Sequence, residues 1–220
     1  MKYESEILHK GFVTHDVRQF ILSRPGELSW EPGQGVELAL DLEGWRDEGH
    51  PFTPTSHRDE PALEFTIKIY PEREGLTARL DGLAPGATVG LSDPFGAITH
   101  RGPGTFVGGG AGVTPLLAIL RHMDEDELAR SRLLFSNHTP ADVICERELR
   151  HLLRERCVLT CTDRGGEGFE HRKIDSDFLR DHVDQVDGTF YVCGPPSFVT
   201  DVSAALLEMG ANEETIVVEE

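Results

Sequence analysis

Lysine is scarce in this chain of 220 residues: only Lys2, Lys10, Lys68 and Lys173 occur, and every other basic residue is arginine. No apolar run reaches the eighteen or so residues that a membrane-spanning helix needs. Nor does a positively charged leader precede an apolar core. A soluble, cytoplasmic protein without membrane insertion is expected. Cysteine is sparse as well, at positions 145, 157, 161 and 193, and lacks the Cys-x-x-Cys spacing of zinc and iron-sulfur sites. No metal is expected. Cys157 and Cys161 fall on one face of a short apolar strand, which favours buried free thiols. Internal repeats and low-complexity segments are missing.

Positive charge is the other shortage, because 39 acidic residues oppose 21 basic ones and leave a net charge of −18. Residues 1–100 hold 17 acidic and 9 basic residues, and residues 101–220 hold 22 and 12, so the excess is even and forms no acidic tail. Nucleic acid is a poor partner for such a surface. The surface suits a saline cytoplasm, where screening removes self-repulsion, or is simply that of an acidic protein. At 38% hydrophobic the chain can bury ordinary cores. Its length allows two domains of about a hundred residues each.

Residues 7–98 carry short strand-like runs at Ile7–Phe12, Val17–Leu22, Val36–Leu42, Leu63–Tyr70 and Ala87–Leu91, broken by Pro, Gly and Asp. That pattern predicts an antiparallel β-barrel. Arg101-Gly102-Pro103-Gly104 reads as the linker. Beyond it, strands at Thr105–Val107, Arg132–Ser136, Cys157–Cys161, Thr189–Val192 and Ile216–Val218 alternate with helices from Pro115, near Glu146–Leu153, near Ser176–His182 and from Pro196. The alternation predicts an α/β domain on a parallel, Rossmann-like sheet.

Phe106 to Leu116 read Phe-Val-Gly-Gly-Gly-Ala-Gly-Val-Thr-Pro-Leu, a strand end running through glycines into an apolar helix. Glycines there let backbone approach a ligand without Cβ atoms, while Thr114 suits an N-cap and Pro115 the first helical turn. Free N–H groups at that entrance can receive a phosphate; the segment can equally be a plain strand-helix turn. A second strand end, Cys193-Gly194-Pro195-Pro196, opens another helix about eighty residues on. In an open α/β sheet, two such ends imply one cleft.

Gly-Gly-Gly-Ala-Gly-Val-Thr-Pro paired with a late Cys-Gly-Pro-Pro resembles the nicotinamide half of the ferredoxin-NADP reductase superfamily. The first hundred residues extend the resemblance. His50-Pro51-Phe52-Thr53-Pro54-Thr55-Ser56 is similar to the family's Arg-x-aromatic-Thr/Ser flavin motif, with histidine in place of arginine. Ile67-Lys68-Ile69-Tyr70 resembles the neighbouring strand, Gly75-Leu76-Thr77-Ala78-Arg79-Leu80 the phosphate segment, Asp93-Pro94-Phe95-Gly96 the closing turn, and Pro32-Gly33-Gln34 the early Pro-Gly-Gln. The resemblance implies an FAD-binding barrel at 1–100 and an NAD(P)-binding domain at 101–220.

It also implies roles. Phe52 would stack on the flavin and Thr53 would hydrogen-bond near its reactive nitrogen, although a core aromatic and an ordinary strand threonine fit the same segment. His50, Pro51, Ser56, Ile67, Lys68, Tyr70, Gly75, Leu76 and Thr77 would complete the flavin site. His50 offers no fixed charge or bidentate fork, so pyrophosphate binding would weaken or pass to Lys68, Arg79 and the amides of residues 75–77, and FMN remains an alternative to FAD. Gly110, Gly112, Val113, Thr114 and Asn137 would hold the nicotinamide nucleotide, NADH or NADPH. Cys193, Gly194 and Pro195 would border its ring, with Cys193 packing there rather than attacking. Asp142 either accepts the ribose hydroxyls, which favours NADH, or caps a helix starting near Val143; Arg147, Arg164 and Arg172 could still make a phosphate pocket. Glu219 in the terminal strand would stand near the flavin, or it is simply solvated. The catalytic candidates are Thr53, Cys193 and Glu219.

The expected activity is hydride transfer from NAD(P)H to FAD, with electrons passed singly to a separate carrier such as a flavodoxin, a ferredoxin or an oxygenase component. A free-flavin or quinone reductase of the same architecture and a non-catalytic flavin or nucleotide sensor are the alternatives. A monomer or weak dimer is expected. If the acidic surface belongs to a saline interior, the melting temperature will climb steadily from about 0.1 to 2 M KCl, past the range in which simple screening saturates. A plateau below about 0.5 M would instead mark plain screening of an acidic protein.

Overall fold

In the computed structural model, which describes residues 1–96 and 98–218, the chain forms two sheets joined at one interface. The first sheet contains β1 (Tyr3–Phe12), β2 (Val17–Ser23), β3 (Val36–Leu40), β4 (His50–Phe52), β5 (Ala62–Lys68) and, after helix α1 (Leu76–Gly82), β6 (Thr88–Leu91). Its order is β4-β3-β6-β1-β2-β5, with every pairing antiparallel. A single bridge between Pro54 and Phe65 brings the edges together, so the sheet curls into a nearly closed barrel.

Alternation along the strands fills it. Leu63, Phe65 and Ile67 on β5 point inward to meet Ile7, Phe20, Leu22, Val36, Leu38, Val89 and Leu91. Helix α1 plugs the barrel because Leu76 and Leu80, one helical repeat apart, join the same core. Lys10 Nζ donates to the carbonyls of Asp81 and Leu83, satisfying the negative end of that helix.

The second sheet contains β7 (Gly104–Gly109), β8 (Arg132–Asn137), β9 (Cys157–Cys161), β10 (Thr189–Cys193) and β11 (Ile216–Val218), all parallel, in the order β11-β10-β7-β8-β9. Helices α2 (Val113–Leu120), α3 (Glu125–Ala129), α4 (Glu146–Leu153), α5 (Ser176–His182) and α6 (Pro196–Glu208) connect them. Neighbouring strand residues serve opposite faces. Phe106, Leu133, Phe135 and Tyr191 pack under α2 and α4, whereas Val107, Leu134, Phe190 and Val192 pack under α5 and α6.

The core under α2 also belongs to the barrel, since Val13, Val17 and Ile98 join it. At this join Gly33 adopts φ +94°, and a Cβ there would stand 2.0 Å from the Ile98 carbonyl oxygen. The linker is pinned: the Tyr191 hydroxyl accepts from the Arg101 N–H and donates to the Gly102 carbonyl, both at 2.8 Å.

Three sequence expectations change. The glycine run forms a 3-10 turn, Gly110–Gly112, leading directly into α2, so Thr114 lies inside the helix and its hydroxyl donates to the Ala111 carbonyl instead of capping. Thr53 and Thr55 lie beyond the end of β4. The helix expected near Glu146–Leu153 occupies those residues, so it does not begin near Val143, as the capping alternative for Asp142 requires.

One side chain gives the interface a pH response. His122 accepts the Arg58 N–H at Nε2 (3.0 Å), which places the proton on Nδ1, where it is given to the Ala118 carbonyl (2.6 Å), and its ring stacks on His57 at 4.2 Å. Burial, supported by His57 and Arg58, pushes its pKa below the usual 6.5 against the opposing Ala118 bond. The unfolded chain therefore takes up this proton more readily. The His122 contribution to stability is complete above about pH 6.5 and is lost as the pH falls through the folded-state value. Thermal unfolding of the wild type should lose stability over that window relative to His122→Gln, whose side chain does not titrate; parallel curves would remove His122 as the source.

Candidate functional site

Strand order reverses at β7, with β8 and β9 on one side and β10 and β11 on the other, so the crevice between the carboxyl ends of β7 and β10 is the topological switch point. The two glycine-bearing strand ends meet there. A Cβ on Gly112 would lie 2.5 Å from the Gly194 nitrogen and 2.6 Å from the Cys193 carbonyl carbon and oxygen. On Gly194 it would lie 2.7 Å from the Phe198 ring and 3.2 Å from Gly109 Cα. The turns are thus in backbone contact, with Phe198 of α6 packed against Gly109 and Gly194. Val113 is fully buried, Thr114 half-buried, and Pro195 is exposed at the start of α6. Nothing local in the sequence marks the place of Phe198 beside these glycines.

Asn137 ends β8 with a buried Nδ2 that has no hydrogen-bond partner. Its carbonyl accepts from Thr162, and that of His138 accepts from Asp163 and Arg164, which stitches the loops after β8 and β9 together. Asp163 is exposed there, and its carboxylate is held below the usual range by Thr162 and His138.

Asp142 faces another way. Its Oδ2 accepts from the Thr139 N–H and hydroxyl (2.8 and 2.6 Å), fastening the 3-10 turn Pro140–Asp142, while Oδ1 lies 3.7 Å from His15 Nε2 of the barrel. No helix starts at Val143 for Asp142 to cap; its bonds close the 3-10 turn back onto Thr139 instead. Arg172, a candidate for a phosphate pocket, is paired with Glu170 and Asp181.

On the barrel, His50 and Pro51 are exposed on edge strand β4, and Phe52 is half-buried against the core. Thr53, Thr55 and Ser56 are buried beyond it, and Ser56 Oγ has no partner. Ile67 is buried, and Lys68 is engaged with Asp16 at 2.9 Å. Burial opposes both charges of that pair, yet their mutual hydrogen bond still raises the lysine and lowers the aspartate. Arg79 stacks over Trp45. Arg73, outside every sequence motif, stacks over Tyr70 at 4.5 Å. Gly75 precedes α1 with no side-chain cap on that helix, Leu76 is core, and Thr77 Oγ1 accepts from the Tyr70 N–H. Glu219 lies outside the described residues.

Cys145, Cys157 and Cys161 form no disulfide. Burial, the leading cause, pushes Cys145 and Cys157 up to about 11, far from a reactive thiolate. Cys193 is buried at the end of β10 beside the glycine turn.

These residues fit a flavin and a dinucleotide. Buried polar groups are normally satisfied, and the unpartnered Ser56 Oγ and Asn137 Nδ2 belong to the segments that resemble cofactor motifs. A backbone cradle with no room for Cβ occupies the switch point. Placing a methyl in it should be costly: Gly112→Ala is expected to lose about 1–3 kcal/mol of stability and to weaken nucleotide binding, whereas Gly26→Ala, with no atom within 4 Å of its new Cβ, should do neither. Equal melting temperatures and NADH titrations for the two variants would refute the cradle.

Two oxidoreductase domain families match the chain. Residues 4–100 match the oxidoreductase FAD-binding domain and residues 106–204 the oxidoreductase NAD-binding domain. The chain is 32% identical to the reductase component of propane 2-monooxygenase from Mycolicibacterium smegmatis over 86% of its own length and 57% of that protein, so it spans little more than half of this relative. It is 28% identical to NADH-cytochrome b5 reductase 1 of Bos taurus, covering 90% of the chain and 78% of the relative. The fold superposes on a ferredoxin NADP+ reductase of Neisseria gonorrhoeae, solved with FAD and NADP, with a TM-score of 0.86 at 21% identity over 98% of this chain and 96% of that one. Matched over nearly its whole length by these two families, the chain belongs to the oxidoreductases that join an FAD-binding domain to an NAD-binding domain, and it shares the fold of ferredoxin NADP+ reductase.

Proposed function

We propose that the protein takes hydride from NADH onto FAD and delivers the electrons one at a time to a separate acceptor protein. The observation that carries this reading is the meeting of two glycine turns at a switch point beside a barrel bearing the flavin motif. Bound FAD would supply the chemistry, since it takes two electrons together and releases them singly.

The chain's part is binding and orientation. Phe52 offers an apolar wall, and Thr53 and Ser56 offer hydroxyls on a buried segment. The open first turn of α1, with Thr77 and the nearby Arg73 guanidinium, receives the pyrophosphate in place of the missing arginine at His50. Residues 110–114 and 193–195 hold the nicotinamide end, and Asn137 donates its amide. Cys193 shapes that end by packing. The names of the relatives support a protein acceptor, an oxygenase component or a small haem carrier.

NADH preference rests on Asp163, whose exposed carboxylate stands at the carboxyl end of β9 and repels a 2′-phosphate, while Asp142 is committed to Thr139. The purified protein loaded with FAD should be yellow and should bleach with NADH in the absence of oxygen. Asp163→Arg should shift kcat/KM toward NADPH by roughly 10- to 100-fold, and Asp142→Asn should leave the ratio unchanged. A preparation that binds neither FAD nor FMN would end the flavin reading, and a shift confined to Asp142→Asn would return specificity to that residue.

A further inference from the structure

Flavin and nicotinamide segments belong to different cores, and hydride transfer tolerates little variation in their separation. One rod connects them. Helix α2 starts at the Gly110–Gly112 turn and, with eight residues, runs about 12 Å toward the barrel. The next residue, Arg121, binds in three directions. Its Nη1 donates to the Thr55 carbonyl and to Glu64 Oε1, both at 2.6 Å, while Nε and Nη2 hold the Glu148 carboxylate in a fork at 2.7 and 2.8 Å. Thr55 is itself fixed to Glu64, through its N–H (2.7 Å) and its hydroxyl (2.8 Å). His122 then takes the Arg58 N–H. Consecutive residues at the end of α2 thus grip the chain between Thr55 and Arg58, immediately after Phe52 and Thr53.

We propose that Arg121 is a positioning residue for hydride transfer: by tying the end of α2 to Thr55, Glu64 and Glu148, it sets the separation between the nicotinamide turn and the flavin segment. The inference rests on the FAD and NADH reading above. A planar guanidinium serves all these acceptors at once, whereas a lysine ammonium cannot hold the Glu148 fork while reaching the barrel. Simple interdomain adhesion would make a different prediction, because it would affect melting and leave the chemistry of the folded enzyme untouched.

The test compares FAD-loaded wild type, Arg121→Lys and Glu148→Gln in three measurements: melting, amide hydrogen exchange at Thr55 and Arg58, and flavin reduction across NADH concentrations. Arg121→Lys should lose exchange protection at those amides and slow reduction at saturating NADH by about 10- to 100-fold, the effect of roughly a 1 Å misplacement. NADH half-saturation should stay within about twofold, because binding groups at the glycine turn are untouched. Glu148→Gln, which loosens the fork but keeps Thr55 and Glu64, should fall between, and it carries the comparison alone if Arg121→Lys does not fold. Reduction at saturation unchanged in a folded variant, whatever its melting point, overturns the inference, as does a change confined to half-saturation. Failure of wild type itself to accept FAD or to be reduced would instead overturn the proposed function.

Discussion

A positive charge sits where the two domains meet, and the arrangement around it depends on that charge being satisfied. Arg121 is only 18% exposed and Glu64 only 13%, so both have shed most of their water. Burial alone would favour a neutral arginine; Glu148 and Glu64 together more than reverse it, and the guanidinium is held charged. Such a network is not a bonus that can be trimmed. Removing Arg121 would leave the mostly buried Glu64 carboxylate without its cation, at a cost of about 3–5 kcal/mol, whereas removing Glu148 leaves Arg121 paired with Glu64.

That constraint explains the division of labour at the interface. Apolar contact between Val13, Val17, Ile98 and the α2 core supplies nondirectional attraction, which resists separation but not sliding. Direction comes from bonds with fixed geometry: the Arg121 fork, the His122 acceptor and the Tyr191 hydroxyl that pins both sides of the linker. Gly33 then allows the barrel backbone to close on Ile98 at a distance no side chain would permit. Two independent cores become one positioned pair through few residues.

Much of this was legible in the chain. Short strand-like runs broken by Pro, Gly and Asp located most barrel strands, and strand-helix alternation located the parallel sheet. The glycine turns were readable since only glycine survives a contact such as that of Gly112 with Cys193. Helix α1 was not, because Leu76 and Leu80 give one helical repeat in seven residues bounded by glycine. Thr114 before Pro115 had the composition of a cap, but the preceding glycines coil into a 3-10 turn and move the entrance upstream. Arg121 left no local trace, with partners 57 and 27 positions away.

The acidic composition fits the same picture. With so few lysines, much of the cationic complement is drawn into structure: Lys10 on the α1 carbonyls, Lys68 on Asp16, Arg121 at the interface and Arg172 on Glu170 and Asp181. The net excess of carboxylate is therefore displayed outward, while cations are spent on fixing geometry. Arginine suits that duty better than lysine, because one planar group can hold several acceptors in defined directions with less loss of side-chain freedom per bond. A chain poor in lysine but provided with arginine can carry a strongly negative surface and still hold two cofactor-binding domains in a defined arrangement, because surface charge and interface geometry draw on different residues.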